Sequence, residues 1–96
     1  MGRGRKIVLN CASGYQPELD SLVEEFLRDG VVYVGVVGVD CSRVEGIIDE
    51  LVVGDATDDS RELLTASHPG ETLQQAVAFA ESLTGEYAGE VQVVEL

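Results

Sequence analysis

The chain has 96 residues, the length of one domain rather than two, and 45% of them are hydrophobic, which is the composition of a globular chain with a core rather than of a disordered segment. Eighteen acidic residues against six basic ones give a net charge of −12, and from Ile7 onward only Arg28, Arg43 and Arg61 oppose all 18 acids. Binding to a phosphate backbone through a basic face is therefore disfavoured, because nucleic-acid affinity comes largely from Lys and Arg.

The first six positions hold Arg3, Arg5 and Lys6, the positive charge of a signal peptide's opening segment. Only three uninterrupted apolar residues follow, Ile7 to Leu9, so no secretory hydrophobic region is formed. No stretch approaches the ~20 apolar residues of a membrane span. A cytoplasmic domain without membrane contact is expected, occupying residues 1–96 as a single unit with residues 1–5 flexible. Cys11 and Cys41 fit that compartment as reduced thiols.

Lys6 to Asn10 reads as a first strand ending at Cys11, and the small residues Ala12, Ser13 and Gly14 break it. Pro17 suits the first turn of a helix, in which Leu19, Leu22, Val23, Phe26 and Leu27 fall on one stripe. Glu18 and Asp20 sit near the positive end of its dipole, Arg28 near the negative end, and Gly30 stops it.

Val31 to Val39 is a continuous apolar run, the pattern of a central strand covered on both faces. Gly35 and Gly38 are costly inside a strand and point to close packing or a bulge. A phosphate-binding role for them lacks the Gly-x-Gly-x-x-Gly or Gly-x-x-x-x-Gly-Lys pattern. Ser42-Arg43-Val44-Glu45 matches a capping box and predicts a helix from Ser42, carried on by Val44, Ile47, Ile48 and Leu51. Leu51-Val52-Val53 before Gly54 reads as a short extra strand.

Asp55 to Ser60 is polar and turn-rich, and Glu62 to Ser67 predicts a strand antiparallel to the one at Leu51 to Val53. Thr72 to Gln75 is a second capping box, opening a helix with the stripe Leu73, Ala76, Val77, Ala80 and Leu83. Thr84-Gly85 ends it, and Glu90 to Glu95 alternates as a half-exposed last strand. The order β-α-β-α-β-β-α-β predicts an α/β fold: a three-layer α/β/α sandwich, Rossmann-like or flavodoxin-like, with a mostly parallel sheet of four to five strands.

Sheets of this kind bind ligands beyond the carboxyl ends of their strands. Cys11, Asp40, Cys41 and His68 stand at strand ends, and His68 joins the others only if its strand runs parallel to theirs. Cys11, Asp40 and His68 are the candidate catalytic residues. Cys11, Cys41 and His68, with Asp40 or Asp55, are the candidate metal ligands, although the cysteines lie 30 residues apart without the short Cys or His spacing of structural zinc sites. The alternative fate of Cys11 is a small buried hydrophobe, and that of His68, just before Pro69-Gly70, is a backbone-bonded turn residue. None of the serines sits in a Gly-x-Ser-x-Gly elbow. No cofactor is called for.

Cys11-Ala12-Ser13-Gly14 after a strand resembles the phosphocysteine loop of sugar phosphotransferase IIB subunits, which implies a phosphocarrier or thiol enzyme using Cys11. The sequence departs from that loop at Tyr15 to Glu18, where Glu18 would repel phosphate, and Pro17 replaces the arginine of a Cys-x5-Arg phosphatase loop. Val36-Val37-Gly38-Val39-Asp40-Cys41, Val53-Gly54-Asp55 and Thr65 to Leu73 together resemble a family of small bacterial α/β domains of unknown function. That resemblance spans most of the chain and implies no activity. The reading favoured by the sequence is a non-enzymatic binding or protein-interaction module. An acidic surface serving solubility alone is the simplest account of the charge; an immunity or inhibitor protein covering a basic partner is the sharper one.

Overall fold

The computed structural model describes residues 5–53, 63–87 and 89–96. The expectations for residues 1–4, for Asp55 to Ser60 and for Glu62 lie outside them. Four strands, β1 (Lys6–Cys11), β2 (Tyr33–Gly38), β3 (Leu64–Ser67) and β4 (Val91–Glu95), form one sheet in the order β3-β2-β1-β4, and every pairing is parallel. Helices α1 (Leu19–Arg28), α2 (Cys41–Val53) and α3 (Leu73–Ser82) connect them, with a short 3-10 turn at Gly85–Tyr87.

The extra strand expected at Leu51 to Val53 is the last turn of α2. Val44, Ile48 and Val52 recur every fourth residue and are all buried in one cluster, with Ile47 and Leu51 flanking them. That packing favours helix over the strand preference of two adjacent valines. Among the described residues the element order is therefore β-α-β-α-β-α-β, and β3 is a strand parallel to β2 that follows helix α2 rather than an arm of a hairpin.

Strand alternation divides the core in two. Ile7, Leu9 and Cys11 of β1 and Val34 and Val36 of β2 face α1 and α2, where Leu19, Val23 and Phe26 meet them. Val8, Tyr33 and Val37 face α3 and its buried Ala76 and Ala80. Each fully buried Val, Leu or Phe in these layers contributes ~1.5–3 kcal/mol. The result is a three-layer α/β sandwich.

Local signals fix the helix ends unevenly. The capping box of α3 is present as read: the Gln75 amide donates to the Thr72 hydroxyl at 3.1 Å and the Thr72 amide to the Gln75 side chain at 2.8 Å. The box at Ser42 is not formed. Helix α2 starts at Cys41, with the Val44 amide donating to the Asp40 carbonyl. Glu45 instead accepts a 2.6 Å hydrogen bond from Thr65 of β3, and the Ser42 hydroxyl reaches Ser67 at 3.5 Å. Both side chains thus tie α2 to the edge strand.

Lys6 is buried, which its place in a basic N-terminal run does not suggest. Its ammonium donates to the Ala80 carbonyl at 2.6 Å and to that of Leu83 at 3.3 Å. A cation there adds a second donor to the Ala80 carbonyl, which also accepts the Leu83 amide at 3.2 Å, bonds the Leu83 carbonyl beyond the helix end, and meets the negative end of the α3 dipole.

Candidate strand-end site

Because all four strands run parallel, Cys11, Asp40, Cys41 and His68 lie together at the carboxyl rim of the sheet. The rim reaches its shape through the turn between β2 and α2. Gly38 has φ +106° and Asp40 φ +53°, both left-handed. The Val39 amide donates to the Cys11 carbonyl at 2.9 Å, and a Cβ on Gly38 would stand 2.3 Å from that same oxygen. Only glycine allows this approach. Gly14, also left-handed, lies against the Asp40 carboxylate, so the loop after β1 closes onto the same turn.

The sheet separates the candidates by face. Cys11 and Cys41 are 1% and 4% exposed and belong to the cluster beneath α1 and α2. Burial, and then the neighbouring Cys41, push the Cys11 thiol pKa up. His68, 5% exposed, lies in the α3 layer. Its Nε2 is 3.2 Å from the Tyr33 hydroxyl, its Nδ1 is 3.4 Å from the Glu71 carboxylate, and Phe79 packs edge-on against its ring. Among the described residues no three His, Cys, Asp or Glu side chains gather to hold a metal ion. The set Cys11, Cys41 and His68 is split by the sheet, and Asp55 lies outside the described residues.

Tyr33 is the residue of this region that sequence reasoning missed. A Cβ on Gly35 would be 2.6 Å from the Tyr33 hydroxyl, so the phenol crosses over Gly35 to reach His68 at the far end of the neighbouring strand. The lone aromatic in a valine run, followed two residues later by glycine on the same strand face, is the signal that marks it. Burial, and then the Glu71 carboxylate, push the Tyr33 pKa up to about 12.

A cleft of about 410 Å³ opens at the rim between the ends of β2 and β3. Gly38, Asp40, Cys41, Ser42 and Arg43 line it from the β2–α2 side, and Pro69 and Gly70 from the turn after β3. It lies beside, rather than at, the point where strand order reverses. That point falls between β1 and β4, where the Asn10 amide donates to the Glu95 carboxylate at 3.1 Å. The cleft offers both charge signs and a hydroxyl beside the apolar surface of Cys41 and Pro69.

No helix of the described residues is long and apolar enough to cross a membrane. A family model described as a domain of unknown function, DUF7684, matches residues 4–95. No curated protein and no solved structure matches the chain.

Proposed function

We propose a binding function for this chain, which belongs to the DUF7684 family of domains of unknown function. It is a non-enzymatic protein-interaction module, and the cleft between the carboxyl ends of β2 and β3 receives a basic segment of a partner protein. The cleft is the observation that carries the reading: an open recess of mixed polar and apolar lining, with Asp40, Ser42 and Arg43 among its walls, at the rim where parallel sheets take their ligands. Asp40 supplies an anionic contact and Ser42 a hydroxyl, while the net charge of −12 steers a cationic partner toward the domain. His68 supports binding over catalysis, because both its ring nitrogens face side chains of this chain, Tyr33 and Glu71.

Titration of the nitrogen-15-labelled chain with a lysine-rich peptide tests the reading. Amide shifts concentrated at Gly38 to Arg43 and at Gly70, reduced in Asp40→Asn and suppressed by high salt, are expected. Shifts spread over the acidic outer faces of α1 and α2, unaffected by Asp40→Asn, would show nonspecific charge attraction and overturn it.

A further inference from the structure

We propose that Cys11 and Cys41 form a two-cysteine redox site, oxidised to an intramolecular disulfide by a hydroperoxide that enters through the strand-end cleft. Three observations carry it. Both cysteines are buried in one cluster beneath α1 and α2, although 30 residues separate them in sequence. Their proximity is built by the backbone: Cys11 pairs with Gly38, and the left-handed Gly38 and Asp40 turn the chain so that Cys41 begins α2 directly after the Val39 amide has bonded to the Cys11 carbonyl. The third is access. Cys41 lines the cleft, whereas Cys11, 1% exposed, is not among its lining residues.

That asymmetry assigns the roles. The Cys41 thiol gives up its proton as its sulfur attacks one oxygen of the hydroperoxide, the O–O bond breaks, and the other oxygen leaves as hydroxide or alkoxide and takes up that proton. Cys41 is then a sulfenic acid. Cys11 gives up its proton, its sulfur attacks the Cys41 sulfur, and the hydroxyl leaves as water. For hydrogen peroxide the sum is two thiols and one peroxide giving one disulfide and two waters, with two electrons passing from the sulfurs to the peroxide. Burial raises the Cys11 pKa, which suits the slower, resolving thiol rather than the one that meets the oxidant first. Cys41 as a residue is 4% exposed, which favours a small oxidant such as a peroxide over a bulkier disulfide.

The site shares only its entrance with the proposed partner cleft and does not depend on a partner. The test is exposure of the folded chain to hydrogen peroxide, followed by denaturation, alkylation and peptide mapping under non-reducing conditions. The wild type is expected to lose the mass of two hydrogen atoms and to yield a cross-linked Cys11–Cys41 peptide. Cys11→Ala is expected to accumulate a sulfenic acid on Cys41 that dimedone traps, and Cys41→Ala to leave Cys11 unmodified over the same time. Disulfides linking two chains, or thiols that stay reduced in the folded wild type, would overturn the proposal. Because the wild-type measurement needs no substitution, it decides the matter even if a core cysteine variant fails to fold. Failure here leaves the peptide-titration result untouched, and failure there leaves this one.

Discussion

The Tyr33 hydroxyl lies 3.2 Å from Nε2 of His68, joining the α3-facing side of β2 to the residue that follows β3. Nδ1 faces the Glu71 carboxylate at 3.4 Å, so the tautomer that carries its proton on Nδ1 pairs both ring nitrogens, with Nε2 accepting from the phenol. Neither donor nor acceptor is then left unpaired in the buried layer.

Tyr33→Phe keeps the ring over Gly35 but leaves Nε2 without its donor. A loss of ~1–3 kcal/mol in unfolding free energy is expected, the cost of an unsatisfied buried acceptor. Urea denaturation measures it, and nitrogen-15 shifts of the His68 ring report the Nδ1–H tautomer in the wild type. A wild-type ring protonated on Nε2 would contradict the assigned direction of the bond.

Alkaline stability follows from the same phenol. Its pKa stands near 10 in the unfolded chain and at about 12 in the folded one, so folding is favoured by a neutral Tyr33. The contribution is whole below pH 10 and is lost as pH rises from 10 through 12, since the unfolded state releases its proton first. The raised Cys11 thiol acts in the same sense from its own lower starting point. Unfolding free energy should therefore fall more steeply across pH 10 to 12 in the wild type than in Tyr33→Phe. Equal slopes would remove Tyr33 as the cause.

Gly38 and Gly46 should respond oppositely to alanine. At Gly38 the new Cβ meets the Cys11 carbonyl at 2.3 Å in a left-handed backbone, so a loss above ~3 kcal/mol is expected. At Gly46, inside α2, the space is open and Gly46→Ala should stabilise by ~0.5–1 kcal/mol through helix propensity. Thermal unfolding of the two variants checks both signs.

Lys6→Met should cost ~0.5–1.5 kcal/mol, because the Leu83 carbonyl loses its Lys6 donor and the Ala80 carbonyl keeps only the Leu83 amide, while the apolar stem is kept. Hydrogen exchange in the last turn of α3 should accelerate more than in α1. An unchanged rate there would mean that water replaces the ammonium.

The strand at Tyr33 is legible as a continuous apolar run, and the strand at Val91 and the helices at Leu19 and Leu73 are legible because their apolar residues repeat with a single period and their caps or glycine stops are local. The α/β class follows from their alternation. Leu51 to Val53 misled because β-branched residues in a short run suit either state; the stripe from Val44 to Val52 settles it only when a sheet is there to pack against. The capping motif at Ser42 failed for a related reason, since Thr65 and Ser67 of β3 compete for the Glu45 and Ser42 side chains.

The sequence by itself determined the acidic balance, the layered α/β class and the strand-end positions of Cys11, Asp40, Cys41 and His68, all of which rest on composition or short-range pattern. Only the tertiary structure decided that β3 is parallel, that the sheet places the two cysteines on one face and His68 on the other, and that Tyr33 reaches His68 across Gly35. Those relations depend on strand order and on the face each side chain takes. Both are set by long-range packing that no local pattern encodes.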